Sequence, residues 1–433
     1  MGLLSFTKHK KIKPAKRLAG SIRFPGDKSV SHRYAMLAAI AEGESEIHFF
    51  AESADCQSTL NCLEELGVRI KRQGNLVVIE GAGPEGLRPS NRQLDAGNSG
   101  STIRMLSGIL SGQAFRSVIG GDASLSRRPM KRVMEPLTRM GARIESSTGG
   151  LPPLTIEGGA LKPIRYELPV ASAQVKTAVL FAGLFADGMT EVVEPHRTRD
   201  HSEIALEQMG AQIGRHGGTI AIQGKARLKG CKLYVPGDIS SAAFFIVAGL
   251  LVPGSDLAFH DVGLNPTRTA MIDLLQSMGG DIKVLKLDIL NGELIGNLQV
   301  TAGRLRGGQI SPEIIPELID ELPVLAVLGT QTEEGLFFHG AQELRVKESD
   351  RIAAVAENLR KMGAEVEEYP DGLRVPGRQA LHGAEVSSYG DHRIAMAFAV
   401  AGLIAEGATT IMDSECVQIS FPTFFETLAD VTE

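Results

Sequence analysis

The sequence predicts an α/β protein of two domains, each built from three copies of one strand–helix–strand–helix–strand–strand unit. Three observations carry this. A helix of small apolar residues recurs six times and ends each time at a glycine: Gly43, Gly112, Gly188, Gly254, Gly335 and Gly407, spaced 69, 76, 66, 81 and 72 residues apart. A second helix follows and closes alike in five copies, as EELGVRI, TRMGARI, EQMGAQI, QSMGGDI and RKMGAEV. Short alternating runs joined by glycine turns come next, as in VRIKRQGNLVVIEG and AQIGRHGGTIAIQG. A fixed period of this kind marks internal duplication.

Each element has its reason. The first helix of every unit, such as HRYAMLAAIAEG or RIAMAFAVAGLIAEG, is apolar nearly all round and so must be buried. The strand-like runs that follow (SEIHFF, FRSVIGG, TEVVEP, DLAFHD, LFFHG, TTIMDS) surround such helices. The recurrent glycines Gly67, Gly141, Gly210, Gly279 and Gly363 close the second helices by adopting left-handed backbone. The paired strands after them read as hairpins. The sixth copy stops at its second helix, PTFFETLAD. Units near 70 residues each bury much of their own face, so two closed groups of three are expected rather than an open solenoid. The split falls after Gly224–Lys232, a basic stretch before the fourth unit.

Composition narrows the function. The chain has 433 residues, is 43% hydrophobic and 22% charged, and carries a net charge of -6, which offers no overall basic excess for nucleic acid. The longest apolar runs, Ala242–Val252 and Ala395–Ala405, have 11 residues, too few to span a membrane. Four cysteines (Cys56, Cys62, Cys231 and Cys416) without a CxxC pair point to a reducing cytoplasm, with Cys56 and Cys62 as buried thiols on one helix. Thr7–Lys16 reads as a solvated basic tail, with neither a secretory signal nor a myristoylation pattern before it. Ten histidines show no HxxxH or HExxH spacing, so a zinc site is not expected, and PEGLRPSNR and GNSGST lack the GxxxxGK(S/T) order of a P-loop.

The residues leading into the buried helices carry the chemistry. They are PGDKSVSHR with Lys28, Ser29 and Arg33; DAGNSGSTIR with Asn98, Gly100, Ser101 and Arg104; and PVASAQVK with Ser172, Ala173, Gln174 and Lys176. The second group of three adds Asp238, the Asp320–Glu321 pair, and YGDHR with Asp391, His392 and Arg393. Ser, Asp and Asn cap helices for structural reasons alone. Caps do not require the accompanying cations, however, and cations at helix N-termini suit anions. More arginines precede the second helices: Arg127 and Arg128, Arg197 and Arg199, and the cluster Arg345, Lys347, Glu348 and Arg351. The i, i+4 spacing is expected to place Lys347 and Arg351 on one helix face.

PGDKSVSHR, GNSGST, LPVASAQVKTA, LRVKESDRI and GDHRIAMA, in this order over Phe24–Pro422, resemble the 5-enolpyruvylshikimate-3-phosphate synthases. RPMKRVMEPL, ASAQVKTAVL and IDELPVLAV look closer to the bacterial branch that includes glyphosate-tolerant members. The resemblance implies a two-domain inside-out α/β barrel of the enolpyruvyl transferase kind. Residues 1–26 with 239–433 would form one domain and 27–238 the other, with the active site in the cleft between them. It implies carboxyvinyl transfer from phosphoenolpyruvate to the 5-hydroxyl of shikimate 3-phosphate, a polar addition and elimination that needs no metal or organic cofactor, by a cytoplasmic monomer.

The resemblance also implies roles. Lys28, Gly100, Arg128, Gln174, Arg351 and Arg393 would hold phosphoenolpyruvate. Lys28, Ser29, Arg33, Ser172, Ala173, Gln174, Arg199, Asp320 and Lys347 would hold shikimate 3-phosphate. Asp320 would take the hydroxyl proton, and Glu348 would serve the methylene carbon. One departure stands out: many members carry Lys before Ser/Thr-Phe-Pro near the C-terminus, where this chain has Ile419. The alternatives are the related UDP-N-acetylglucosamine enolpyruvyl transferase and a non-catalytic phosphate-binding relative. The first expects a Cys where GDASLSRRP has none and Lys-Asn where Lys28-Ser29 stands; the second expects loss of Lys28, Asp320 or Glu348.

Overall fold

The computed structural model describes residues 9–433. Strands β1 (Lys10–Ile12) and β2 (Ala19–Arg23) lead the chain. The first repeat holds α1 (Lys28–Ile40), β3 (Glu42–His48), α2 (Ala54–Glu65), β4 (Arg69–Gln73) and β5 (Leu76–Ala82). The second holds β6 (Leu94–Asp95), α3 (Gly100–Ser111), β7 (Arg116–Gly120), α4 (Lys131–Met140), β8 (Arg143–Ser147) and β9 (Leu151–Glu157). The third holds β10 (Arg165–Glu167), α5 (Ala173–Gly183), β11 (Met189–Val193), α6 (His201–Gln208), β12 (Ile213–His216) and β13 (Thr219–Gln223).

The fourth repeat holds β14 (Lys232–Tyr234), α7 (Ile239–Leu251), β15 (Asp256–Gly263), α8 (Ala270–Ser277), β16 (Asp281–Leu290) and β17 (Glu293–Thr301). The fifth holds β18 (Gly308–Gln309), α9 (Ile315–Leu318), α10 (Leu322–Gly329), β19 (Leu336–Phe338), α11 (Arg351–Lys361), β20 (Glu367–Tyr369) and β21 (Gly372–Val375). The sixth holds β22 (Glu385–Ser387), α12 (His392–Ile404), β23 (Thr409–Met412) and α13 (Phe424–Asp430).

In the sheets of the second, third and fifth repeats the first strand lies parallel to the second, the last strand pairs antiparallel with the second, and the third takes the edge, as in β6-β7-β9-β8. The sheets are separate, so no sheet closes into a barrel among the described residues. The barrel expected from the resemblance is therefore not one continuous sheet: six small sheets accompany helices that are buried on nearly every side. All five glycines expected to close second helices are left-handed, with φ between 87° and 115°.

Two strands are exchanged where the chain passes between the units. β2, which precedes α1, pairs with β15 of the fourth repeat, and β14, which precedes α7, pairs with β3 of the first. One compact unit comprises the described residues up to Phe24 with Gly237–Asp288 and Leu294–Glu433; the other comprises Pro25–Pro236 with Ile289–Glu293. Each has its own core. In one, α7, α10 and α12 are buried on almost every side; in the other, α1, α3 and α5 are.

The N-terminal stretch departs from expectation. Of Thr7–Lys16, residues 7 and 8 lie outside the described residues, but Lys10–Ile12 is a strand rather than a solvated tail. It pairs antiparallel with β23 and buries Ile12. The sixth repeat lacks a hairpin of its own, and β1 takes the place a hairpin strand fills elsewhere. Ile12 is the one buried side chain of this strand among lysines at 10, 11 and 13, and composition alone hides it. Cys56 and Cys62 are buried on α2, and burial pushes both thiols up to about 12.

Candidate active site

In the unit containing Pro25–Pro236, the first turns of α1, α3 and α5 meet at one end. Arg33 Nη2 on α1 donates to Thr177 Oγ1 on α5 at 3.1 Å, and Gln174 Nε2 on α5 donates to Ser101 Oγ on α3 at 3.0 Å. Each helix is capped as its sequence demands. Asp27 accepts from Val30 N, Ser99 from Thr102 N and Ser172 from Val175 N, with Ala173 opening α5 behind its cap.

Lys28 is half-buried and donates to the buried Asp55 Oδ2 at 2.8 Å. Behind it, burial first, then Lys28 and Arg33, hold His32 well below its ordinary value, so the ring is neutral; its Nδ1 lies 2.7 Å from Thr59 Oγ1. Arg33 is buried and acts largely as a brace. Its Nε donates to Ser202 Oγ at 2.7 Å and its Nη1 to the Ser29 carbonyl at 2.8 Å. The Ser29 hydroxyl accepts from Arg199 Nη1 at 3.3 Å. Arg197 is exposed and pairs with Asp200.

A second cluster forms around Gly100, the first residue of α3. Arg104 Nη1 donates to Gln174 Oε1 at 2.8 Å, and Arg128 Nη2 donates to Asn98 Oδ1 at 2.7 Å and Ser124 Oγ at 3.2 Å. An ideal Cβ on Gly100 would fall 2.8 Å from Arg104 Nη1 and 3.5 Å from Arg128 Nη1, so this glycine keeps two guanidinium groups close to the backbone.

The other unit repeats the convergence with α7, α10 and α12. Ser240 Oγ at the start of α7 donates to Glu321 Oε1 at 2.6 Å, and Arg393 Nη1 of α12 donates to the Asp320 carbonyl at 3.0 Å. Here the carboxylates gather. Asp320 Oδ1 lies 3.6 Å from Arg351 Nη1 and 4.0 Å from Lys347 Nζ, and its Oδ2 lies 3.6 Å from Arg393 Nη2. Arg351 also donates to Glu348 Oε2 at 2.6 Å and, through Nε, to Asp391 Oδ2 at 2.8 Å. Burial would lower the Arg351 guanidinium, but Asp391, Glu348 and Asp320 outweigh it and raise it above its ordinary value.

Lys347 and Arg351 do not share a helix face. Asp350 caps α11 by accepting from Ala353 N at 3.1 Å, so the helix starts at Arg351 and Lys347 is extended before it. Both still reach Asp320, from different backbone directions. Ile419, at the end of a short 3₁₀ turn, is half-buried.

The sequence brought no attention to Asp55, Ser124, Thr177 or Ser202, which anchor the cations. Asp55 lies 27 residues beyond Lys28, at the start of another helix. The one local signal was its place just after the Ser53 cap. Among the described residues no group of three or more His, Cys, Asp and Glu could hold a metal ion, and no helix is long and apolar enough to cross a membrane.

The chain matches the family model described as EPSP synthase (3-phosphoshikimate 1-carboxyvinyltransferase) over residues 12–428. It is 56% identical over 424 residues to the 3-phosphoshikimate 1-carboxyvinyltransferase of Solibacter usitatus, covering 98% of this chain and 100% of that protein. It is 54% identical to the protein of the same name from Koribacter versatilis, covering 98% and 99%. The EPSP synthase structure from Acinetobacter baumannii superposes with a TM-score of 0.88 at 43% identity, covering 98% of both chains. Sequence along nearly the full length and fold agree, and the chain belongs to the EPSP synthase family.

Proposed function

We propose that this protein is a 3-phosphoshikimate 1-carboxyvinyltransferase, which transfers the carboxyvinyl group of phosphoenolpyruvate to the 5-hydroxyl of shikimate 3-phosphate. The observation that carries the reading is the pair of carboxylates, Asp320 and Glu348, set among Lys347, Arg351 and Arg393. The reaction adds a proton to the methylene carbon of phosphoenolpyruvate while the hydroxyl oxygen bonds to C2. The tetrahedral adduct then loses phosphate from C2 and a proton from the new methyl group. Two positioned proton carriers and a set of cations for carboxylate and phosphate are what this sequence of steps requires.

Asp320 accepts the hydroxyl proton and Glu348 delivers and retrieves the proton at the methylene carbon. Lys28, Arg128, Arg351 and Arg393 bind the carboxylate and phosphate of phosphoenolpyruvate, with Gly100 and Gln174 shaping its pocket. Lys28, Ser29, Ser172, Ala173, Gln174, Arg199, Asp320 and Lys347 bind shikimate 3-phosphate. Arg33 serves it by holding the Ser29 backbone and is a positioning residue. Four free cysteines suit work in the reducing cytoplasm. The relatives carry the shikimate transferase name, which favours this acceptor over a UDP-sugar.

The test is release of inorganic phosphate from phosphoenolpyruvate by purified protein. Release that depends on shikimate 3-phosphate is expected; release with UDP-N-acetylglucosamine instead, or with neither, would overturn the proposal.

A further inference from the structure

Helix α2 carries no residue assigned to substrate, yet one face of it reaches two segments proposed to hold phosphoenolpyruvate, at Lys28 and at Gly100. Asp55 and Thr59 lie one turn apart on α2, and Lys28 and His32 lie one turn apart on α1, so the two pairs meet as successive rungs. Asp55 accepts from Lys28 at 2.8 Å, and Thr59 Oγ1 lies 2.7 Å from His32 Nδ1. The same Thr59 oxygen lies 2.7 Å from Thr102 Oγ1 on α3. Thr102 Oγ1 in turn donates to Ser99 Oγ at 2.8 Å, and Thr102 N donates to that oxygen at 3.0 Å. Ser99 caps α3 and stands directly before Gly100. His32, Thr59, Thr102 and Ser99 are all fully buried.

Counting hydrogens fixes the direction of this chain. A hydroxyl has one proton to donate, and a neutral imidazole has one N–H. Thr102 directs its proton to Ser99. Thr59 must therefore donate to Thr102 and accept from His32. His32 thus carries its proton on Nδ1. Its Nε2, buried without a hydrogen-bond partner among the described residues, keeps the lone pair.

We propose that Thr59 is a positioning residue for phosphoenolpyruvate: as the middle link from His32 to Ser99, it fixes the start of α3, and with it Gly100, against the turn of α1 that carries Lys28. This rests on the phosphoenolpyruvate pocket of the proposed function. The shikimate 3-phosphate side is braced separately, since Arg33 is held by Ser202 on α6 and Thr177 on α5. Loss of the Thr59 hydroxyl leaves Lys28 its bond to Asp55, so the effect falls on Gly100, which serves phosphoenolpyruvate alone. It also leaves the His32 N–H without its acceptor in the core, where a missing partner is costly.

Thr59→Val keeps the shape and removes the hydroxyl. Steady-state phosphate release is expected to show a KM for phosphoenolpyruvate raised on the order of tenfold, with the KM for shikimate 3-phosphate within about twofold of the parent. Thr59→Ser keeps the link and is expected to hold the phosphoenolpyruvate KM within about threefold of the parent. Thr102→Val breaks the next link and is expected to repeat the split, and it carries the test if Thr59→Val does not fold. Nitrogen NMR of the parent reads the chain without any variant, and His32 is expected as the neutral Nδ1–H tautomer. Parent KM values in the valine variants, equal rises in both constants, no rescue by serine, or a His32 protonated at Nε2 would each overturn the proposal. A parent that releases no phosphate would overturn the proposed function itself, and this assignment with it.

Discussion

Asp320 has cations on both of its carboxylate oxygens, and that defines what its loss does. Asp320→Asn keeps the shape and the contact distances but removes the proton acceptor. Turnover is expected to fall roughly 10² to 10⁴-fold with KM values changed little, as for other positioned proton-transfer groups. Steady-state phosphate release checks it; near-normal turnover would remove Asp320 from the proton path. At Gly100 an added methyl meets the end of the flexible Arg104 side chain rather than backbone, so Gly100→Ala is expected to fold. Arg104 must move, and it holds Gln174. Glyphosate, which is longer than phosphoenolpyruvate, is expected to compete with it for this site and to lose much more affinity than the substrate in Gly100→Ala. Inhibition kinetics in which both constants rise equally would show that this position does not set the inhibitor's room. Lys28, Gly100 and Asp320 were legible as motif positions. Asp55 and Ser202 were not, because a partner chosen by packing leaves no spacing in the chain.

Among the elements, the start of α5 shows how a helix can take a cation out of play. Lys176 appeared in sequence as one more basic residue near a helix start. One turn inside α5 it is fully buried, 2.6 Å from Glu203 and 3.0 Å from Glu194. Burial raises Glu203 above the ordinary carboxylate range, and Lys176 pulls it back only in part. A folded value above the unfolded one means the native state binds more protons. The stability it contributes is complete below 4.5 and is lost as pH rises through the folded value. Glu203→Gln is therefore expected to flatten the decline of stability above pH 4.5, by up to about 1.4 kcal/mol per pH unit. Urea denaturation at stepped pH reads the difference; parallel curves for parent and variant would assign the decline to other groups. Lys347 falls outside α11 for a local reason: Asp350 caps the helix by accepting from Ala353 N, so no helical turn reaches back to Lys347.

For the whole molecule, the exchanged strands decide which parts of the chain stand alone. Residues 25–236 include β14, which completes the sheet of β3, so this fragment carries every strand of its three sheets. It lacks Glu293, whose Oε1 lies 2.7 Å from the buried His201 Nδ1, and is expected to be less stable than the parent. Residues 237–433 lack β2 and β1, leaving β15 paired only with β17 and β23 only with β22. The first fragment is expected to unfold cooperatively in urea by circular dichroism. The second is expected to do so only when residues 9–24 are fused after Glu433. Cooperative unfolding of 237–433 alone at the parent midpoint would show the exchanged strands to be dispensable.

The sequence by itself determined the six repeats, the buried helices and the glycines that close the second helices, because those features rest on neighbours within one turn or one hairpin. It also held the motifs that identify the family. Tertiary structure alone decided that Lys10–Ile12 completes the sixth sheet, that β2 and β14 change places, and that Arg33 and Lys176 are tied into the interior while Lys347 and Arg393 reach Asp320. Each of these depends on a partner tens to hundreds of residues away. Periodicity can state that a strand or a cation exists. Which edge takes the strand, and which carboxylate takes the cation, is settled by the burial that packing imposes on both.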